Sequence, residues 1–115
     1  MMHERVSASL WVDALIRRAT IGAASAFVLQ RGDAERGDVV VKVSTLDGKA
    51  RLYRPSIDIE GRRIFLDLAV QGIGPEEEDI DSYIRRERTR DSDLWVVEIE
   101  DREGRHFIVE TVQSS

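Results

Sequence analysis

At 115 residues, 42% hydrophobic and 34% charged, the chain is long enough to bury one core and too apolar to be a disordered segment, so a single domain over residues 1–115 is expected. A formal net charge of −5 makes nucleic acid an improbable partner. The chain has no cysteine, which excludes a disulfide framework, thiolate chemistry and a cysteine-ligated zinc site, and fits a cytoplasmic protein.

Near the N-terminus, Asp13, Arg17 and Arg18 interrupt the apolar residues, so neither a signal peptide nor a membrane span is expected. Ala8, Trp11, Val12, Leu15, Ile16 and Ala19 recur at helical spacing, which predicts a helix from Ser7 to Ala19. Ser7 or Ser9 supplies the cap, and Gly22 is a plausible stop. His3 precedes this helix in a terminus expected to fray.

Ser25 to Gln30 is a short apolar run expected to be a strand, followed by a Gly- and Asp-rich loop from Arg31 to Asp38. That loop contains Arg31-Gly32-Asp33, the tripeptide read by adhesion receptors; in this context it is better taken as a turn. Val39 to Val43 and Ala50 to Tyr53 flank Asp47-Gly48, a strong hairpin signal. A two-residue turn there pairs Val43 with Leu52, Lys42 with Tyr53 and Ser44 with Arg51, whereas a one-residue slip sets Val43 against Arg51. Pro55 is expected to end the second strand of that hairpin. Arg63 to Val70 alternates as a fourth strand, with Ile64, Leu66, Leu68 and Val70 on one face.

Pro75 suits the first position of a second helix. Glu76 to Asp79 at its start and Arg85 to Arg90 at its end complement the helix dipole. Its apolar stripe, Ile80, Tyr83 and Ile84, is narrow, so the helix is expected to ride on the sheet surface. The segment from Asp93 to Val112 reads as a terminal hairpin with Gly104 in a left-handed turn position. That pairing puts Ile99 opposite Phe107 and Val97 opposite Val109 on a core face, and gathers Glu98, Glu100 and His106 with Val96 and Ile108 on the other. The resulting order, α-β-β-β-β-α-β-β, predicts an α+β fold: a mainly antiparallel sheet of about six strands with both helices on one face.

Two groups of side chains carry possible chemistry. Glu98, Glu100 and His106 resemble an acid/base or metal constellation in composition, although a solvated sheet face explains them as well. Arg51, Arg54, Arg62 and Arg63 are candidates to bind a phosphate or carboxylate, since the guanidinium fork suits both; neutralising neighbouring carboxylates is the plainer role. Tyr53 is the only aromatic expected among these arginines, too few for RNA stacking. No specific catalytic, cofactor or metal motif appears; Gly32 to Gly37 lacks the Lys-Ser/Thr of a phosphate loop.

The stretches FVLQRGDAERGDVVVKVSTLDGKARLYRP and DIDSYIRRERTRDSDLWVVEIEDREGRHFI, with LWVDALIRRA in the first helix, resemble a small alphaproteobacterial family catalogued as domain of unknown function 1491. The resemblance covers nearly the whole chain and implies a stand-alone bacterial cytoplasmic α+β protein. It implies no activity and no functional residues. The expected function is therefore a small non-enzymatic binding or adaptor protein, homodimeric or docked to a protein partner, with no cofactor. The alternative is an anion- or metal-dependent enzyme or ligand-binding protein in which the arginines and the Glu98/Glu100/His106 face converge.

Overall fold

The structure, a computed structural model, describes residues 6–114, so His3 lies outside the described residues. Two helices, α1 (Ala8–Ile21) and α2 (Glu77–Arg90), pack on six strands. The strands are β1 (Ser25–Gln30), β2 (Val39–Ser44), β3 (Ala50–Ile57), β4 (Arg63–Asp67), β5 (Trp95–Glu100) and β6 (Val112–Gln113), in the spatial order β1-β5-β2-β3-β4-β6. Three of the pairings are antiparallel; β2 with β5 and β4 with β6 are parallel. The fold is thus α+β with a mixed, mostly antiparallel sheet.

The helices lie on opposite faces of the sheet, not on one. Val12, Leu15 and Ala19 of α1 pack with Val39, Val41, Val43, Val97 and Ile99. Ile80 and Ile84 of α2 pack with the alternate residues Val40, Leu52 and Val96. Alternation along each strand divides these two cores. The narrow stripe of α2 therefore does fill a core, with Ile80 fully buried. Being covered twice, β2 is buried at every residue and β5 at all but its last. Strands buried on both faces read as continuous apolar runs, and such runs pair in either register without exposing a hydrophobic face.

That explains the register of the β2–β3 hairpin, which is the slipped one: Val43 pairs with Arg51, Val41 with Tyr53 and Lys42 with Leu52. The turn holds three residues between Thr45 and Lys49, with Leu46 and Gly48 at positive φ. The Asp47 carboxylate organises it, accepting from the Thr45 hydroxyl and the Lys49 N–H. Pro55 does not end β3, which runs to Ile57. The pairing with β2 stops at Tyr53, so Pro55 has only β4 beside it and its missing N–H breaks no ladder on the other side. β4 is shorter than its alternation suggests. The Asp67 carboxylate accepts from the Ala69 N–H and caps a 3₁₀ turn over Leu68–Gln71. Pro75 sits before α2 rather than in its first turn, and its carbonyl accepts from the Ala50 N–H.

The largest departure is at the C-terminus, where no terminal hairpin forms. Both sides of β5 are taken, by β1 and by β2. The turn after it does form as expected, with Gly104 at φ 75 and its N–H donating to the Asp101 carbonyl. Phe107, at φ 62, then diverts the chain across the α1 side to β4. Arg18 of α1 donates to the Phe107 carbonyl at 2.8 Å, and the Trp11 indole N–H donates to Glu110 at 2.8 Å. The Thr111 carbonyl accepts from the Phe65 N–H, and Val112 then pairs beside β4.

The loop carrying Arg31-Gly32-Asp33 is a turn, closed by Asp33 accepting from the Glu35 and Arg36 N–H groups. A Cβ on either Gly32 or Gly37 would stand 2.1 Å from the Asp93 carbonyl oxygen. Close approach to β5, not phosphate binding, is what those two glycines serve.

Candidate functional site

The register and the crossover together build a cleft that neither expected cluster describes. Arg51 and Tyr53 alternate along β3 and so share the α1 face, which the slipped register gives them. Asp67, at the end of β4, pairs directly with Tyr53. The crossover delivers His106, whose ring meets the Tyr53 ring edge-on at 5.0 Å. The β2–β3 turn with Lys49, the turn at Glu103 and Gly104, and the end of β6 wall an open cavity of about 580 Å³.

Each group has a defined state. The Arg51 guanidinium donates from Nη1 to Asp67 Oδ2 at 2.6 Å, which raises its pKa further and keeps it charged. Asp67 is buried, while the Arg51 side chain is 58% exposed. Asp67 is thus spent on Arg51 and on the Ala69 N–H, whereas the rest of the guanidinium fork faces outward. Burial pushes the Tyr53 phenol up, so it stays protonated at neutral pH. Burial pulls His106 down, only partly opposed by the Asp67 charge, so its imidazole is neutral at pH 7. Its Nδ1 accepts from the Ile108 N–H at 2.9 Å, which assigns the proton to Nε2. In this state His106 offers a donor and no free basic nitrogen. Lys49, on the cavity wall, pairs with Glu76.

The other sequence candidates lie elsewhere. Glu98 and Glu100 alternate with the core residues Val97 and Ile99 and face α2, so the sheet separates them from His106. The expected Glu98/Glu100/His106 constellation does not exist. Glu98 instead belongs to a buried cluster around Lys42, whose Nζ reaches Glu77 and Asp81 at 2.7 Å and Glu98 at 3.5 Å. Burial alone would lower the Lys42 pKa, but its bonds to Asp81 and Glu77 and the Glu98 charge outweigh that and raise it. Burial raises the Glu98 carboxyl; the Lys42 charge and hydrogen bond oppose this only in part, and the Glu100 and Glu77 charges add to it.

Arg54 is also on the α2 face, donating to Tyr83 and Glu87 at 2.7 Å each. Arg62 stays in the β3–β4 turn, paired with Asp58 and Glu60. Arg63 lines a smaller hollow beside Trp11, Phe65 and Glu110. Of the seven candidates, Arg51 and His106 line one cleft, Glu98 and Glu100 stay together on the α2 face, and the two groups do not converge. Val96 and Ile108, expected to share a face covered by a partner or by a helix, lie on opposite sides of the sheet, and the protein itself buries both, Val96 under α2. Among the described residues, no group of three or more His, Asp or Glu side chains is placed to hold a metal ion. No helix is long and apolar enough to cross a membrane.

Asp67 and Lys49 were not candidates on sequence. Asp67 is the one acid in the apolar run from Ile64 to Val70, and an Asp there signals a cap or an arginine partner. The profile of a family described as protein of unknown function (DUF1491) matches residues 6–109. The chain belongs to that family. A crystal structure of a DUF1491 protein from Caulobacter crescentus CB15 is 44% identical, covers 95% of this chain and all of its own, and superposes with a TM-score of 0.86. A solution structure of a DUF1491 protein from the same organism gives 43% identity, 96% and 99% coverage and a TM-score of 0.83. A solution structure of an A. tumefaciens protein gives 31% identity, 96% and 98% coverage and a TM-score of 0.76. No curated protein matches the chain.

Proposed function

We propose that this DUF1491 protein is a non-enzymatic binding protein whose cleft takes a small molecule bearing a carboxylate or phosphate. The observation that carries this is the half-spent Arg51 guanidinium: Asp67 fixes it from one side, and its remaining donors stand in the same cleft as the His106 imidazole. A guanidinium oriented by one carboxylate can still grip a second oxyanion with the other edge of its fork. Binding is favoured over acid/base catalysis because His106 Nδ1 is occupied by a backbone N–H and Asp67 orients Arg51, not the imidazole. The cysteine-free sequence supports a cytoplasmic setting for that binding.

Thermal shift with inorganic phosphate and with succinate tests it. A ligand that binds only the folded state raises the melting temperature with its concentration. The wild type should respond to at least one of the two, and Arg51→Gln should lose the response. Equal responses from wild type and Arg51→Gln would contradict the proposal.

A further inference from the structure

The β1 edge of the sheet has the form of a docking strand. Only β5 pairs with it, so its outer row of N–H and C=O groups has no strand partner. Its residues, Ser25–Gln30, include no charge and no proline, and Phe27, Val28 and Leu29 are 40%, 37% and 45% exposed. Edge strands are ordinarily blunted by lysine, proline or shortness. The opposite edge, β6, is only two residues long.

We propose that β1 pairs antiparallel with β1 of a second copy, so that one sheet runs through a homodimer. Charge selects this occupant. At the Gln30 end, Arg88 donates to the Gln30 side chain and Arg85 lines the same hollow. At the other end, Ser25 pairs with Glu100. Arg85, Arg88 and Glu100 have no ion-pair partner among the described residues. The hollow at the Ser25 end holds Glu100, Asp101 and Glu103 against Arg102 and Arg105, an excess of one acid, so the strand has a basic end and an acidic end, and a two-fold axis sets each against its opposite twice.

The register follows from the faces. Phe27 pairs with Glu98 on the α2 face, while Ala26 and Val28 pair with Ile99 and Val97 on the α1 face. An axis through Phe27 sets that residue against Phe27 of the second copy and Ala26 against Val28, keeping like faces together. The bulge between Val28 and Gln30 then brings Gln30, with its Arg88, to the Ser25–Glu100 row of the second copy.

Light scattering at protein concentrations up to about 1 mM, where even a weak pairing populates the complex, tests this. The wild type should reach the mass of two chains. Phe27→Lys places two ammonium groups together at the axis and should leave a monomer with unchanged circular dichroism. Arg88→Glu and Glu100→Arg should each weaken the dimer roughly tenfold, and their equimolar mixture should recover it, because both cross-copy pairs are restored. The charge-swap pair still decides the matter if Phe27→Lys fails to fold. A wild type that stays monomeric throughout, or a dimer indifferent to these changes, overturns the proposal.

Discussion

Replacing Lys42 with methionine removes the buried cation that holds Glu77, Asp81 and Glu98 on the α2 face. The Lys42 side chain is 5% exposed and holds three carboxylates. Glu77 and Asp81 are partly solvated, and losing a partner costs such groups about 0.2–1 kcal/mol each. Glu98 is buried, and a buried charge left without its partner costs about 3–5 kcal/mol. Protonation relieves part of that, since the Glu98 carboxyl already titrates above its ordinary 4.5. A loss of about 3 kcal/mol is therefore expected for Lys42→Met, or about 12 °C in melting temperature for a chain of this length.

Urea unfolding followed by the fluorescence of the buried Trp95 measures this loss as a lower midpoint at unchanged slope. The sign with pH is set by Glu98. A carboxyl whose folded pKa is raised favours folding below its unfolded pKa and loses that contribution as pH rises through the folded value. The deficit of Lys42→Met should thus be full at pH 7 and shrink as pH falls toward 4.5. Adding Glu98→Gln should restore more than half of it. A loss under about 1 kcal/mol, or one independent of pH, would refute the view that Lys42 neutralises a buried carboxylate.

His106 gives a second pH dependence, of opposite sign. Its folded pKa lies below the ordinary 6.5, so its contribution is complete above 6.5 and is lost as pH falls toward the folded value. His106→Gln should flatten the stability profile of the wild type in that window. Gly32→Ala should cost about 1–3 kcal/mol by urea unfolding, because the new methyl meets the Asp93 carbonyl. A cost near zero would mean the loop moves freely off β5. Ile80→Ala should cost about 2–5 kcal/mol, as in a filled core; a surface-riding helix would lose well under 1 kcal/mol.

The parts of this fold that are legible in the sequence are those set by neighbouring residues. The 3.6-residue stripe and Ser7 cap specify α1, the charge gradient specifies α2, and Gly104 marks its turn whatever follows. The pairings are set by competition among distant strands, and alternation cannot see that. Val39 to Val41 and Trp95 to Val97 are apolar on both faces, so neither register nor neighbour is written in their pattern. Arg51 and Tyr53 changed face with a single-residue slip, and His106 changed face when β1 and β2 took both sides of β5. For that reason two of the cleft residues were nameable from sequence while their meeting was not.

The cleft itself is tested most directly by amide and Arg51 side-chain NMR shifts during titration with phosphate and with succinate. The proposed binding predicts that one of these moves the signals of Arg51, Tyr53, Asp67 and His106 together, saturably, and that Arg51→Gln abolishes the effect. Shifts scattered over the surface, or confined to the cleft yet unchanged in Arg51→Gln, would contradict it.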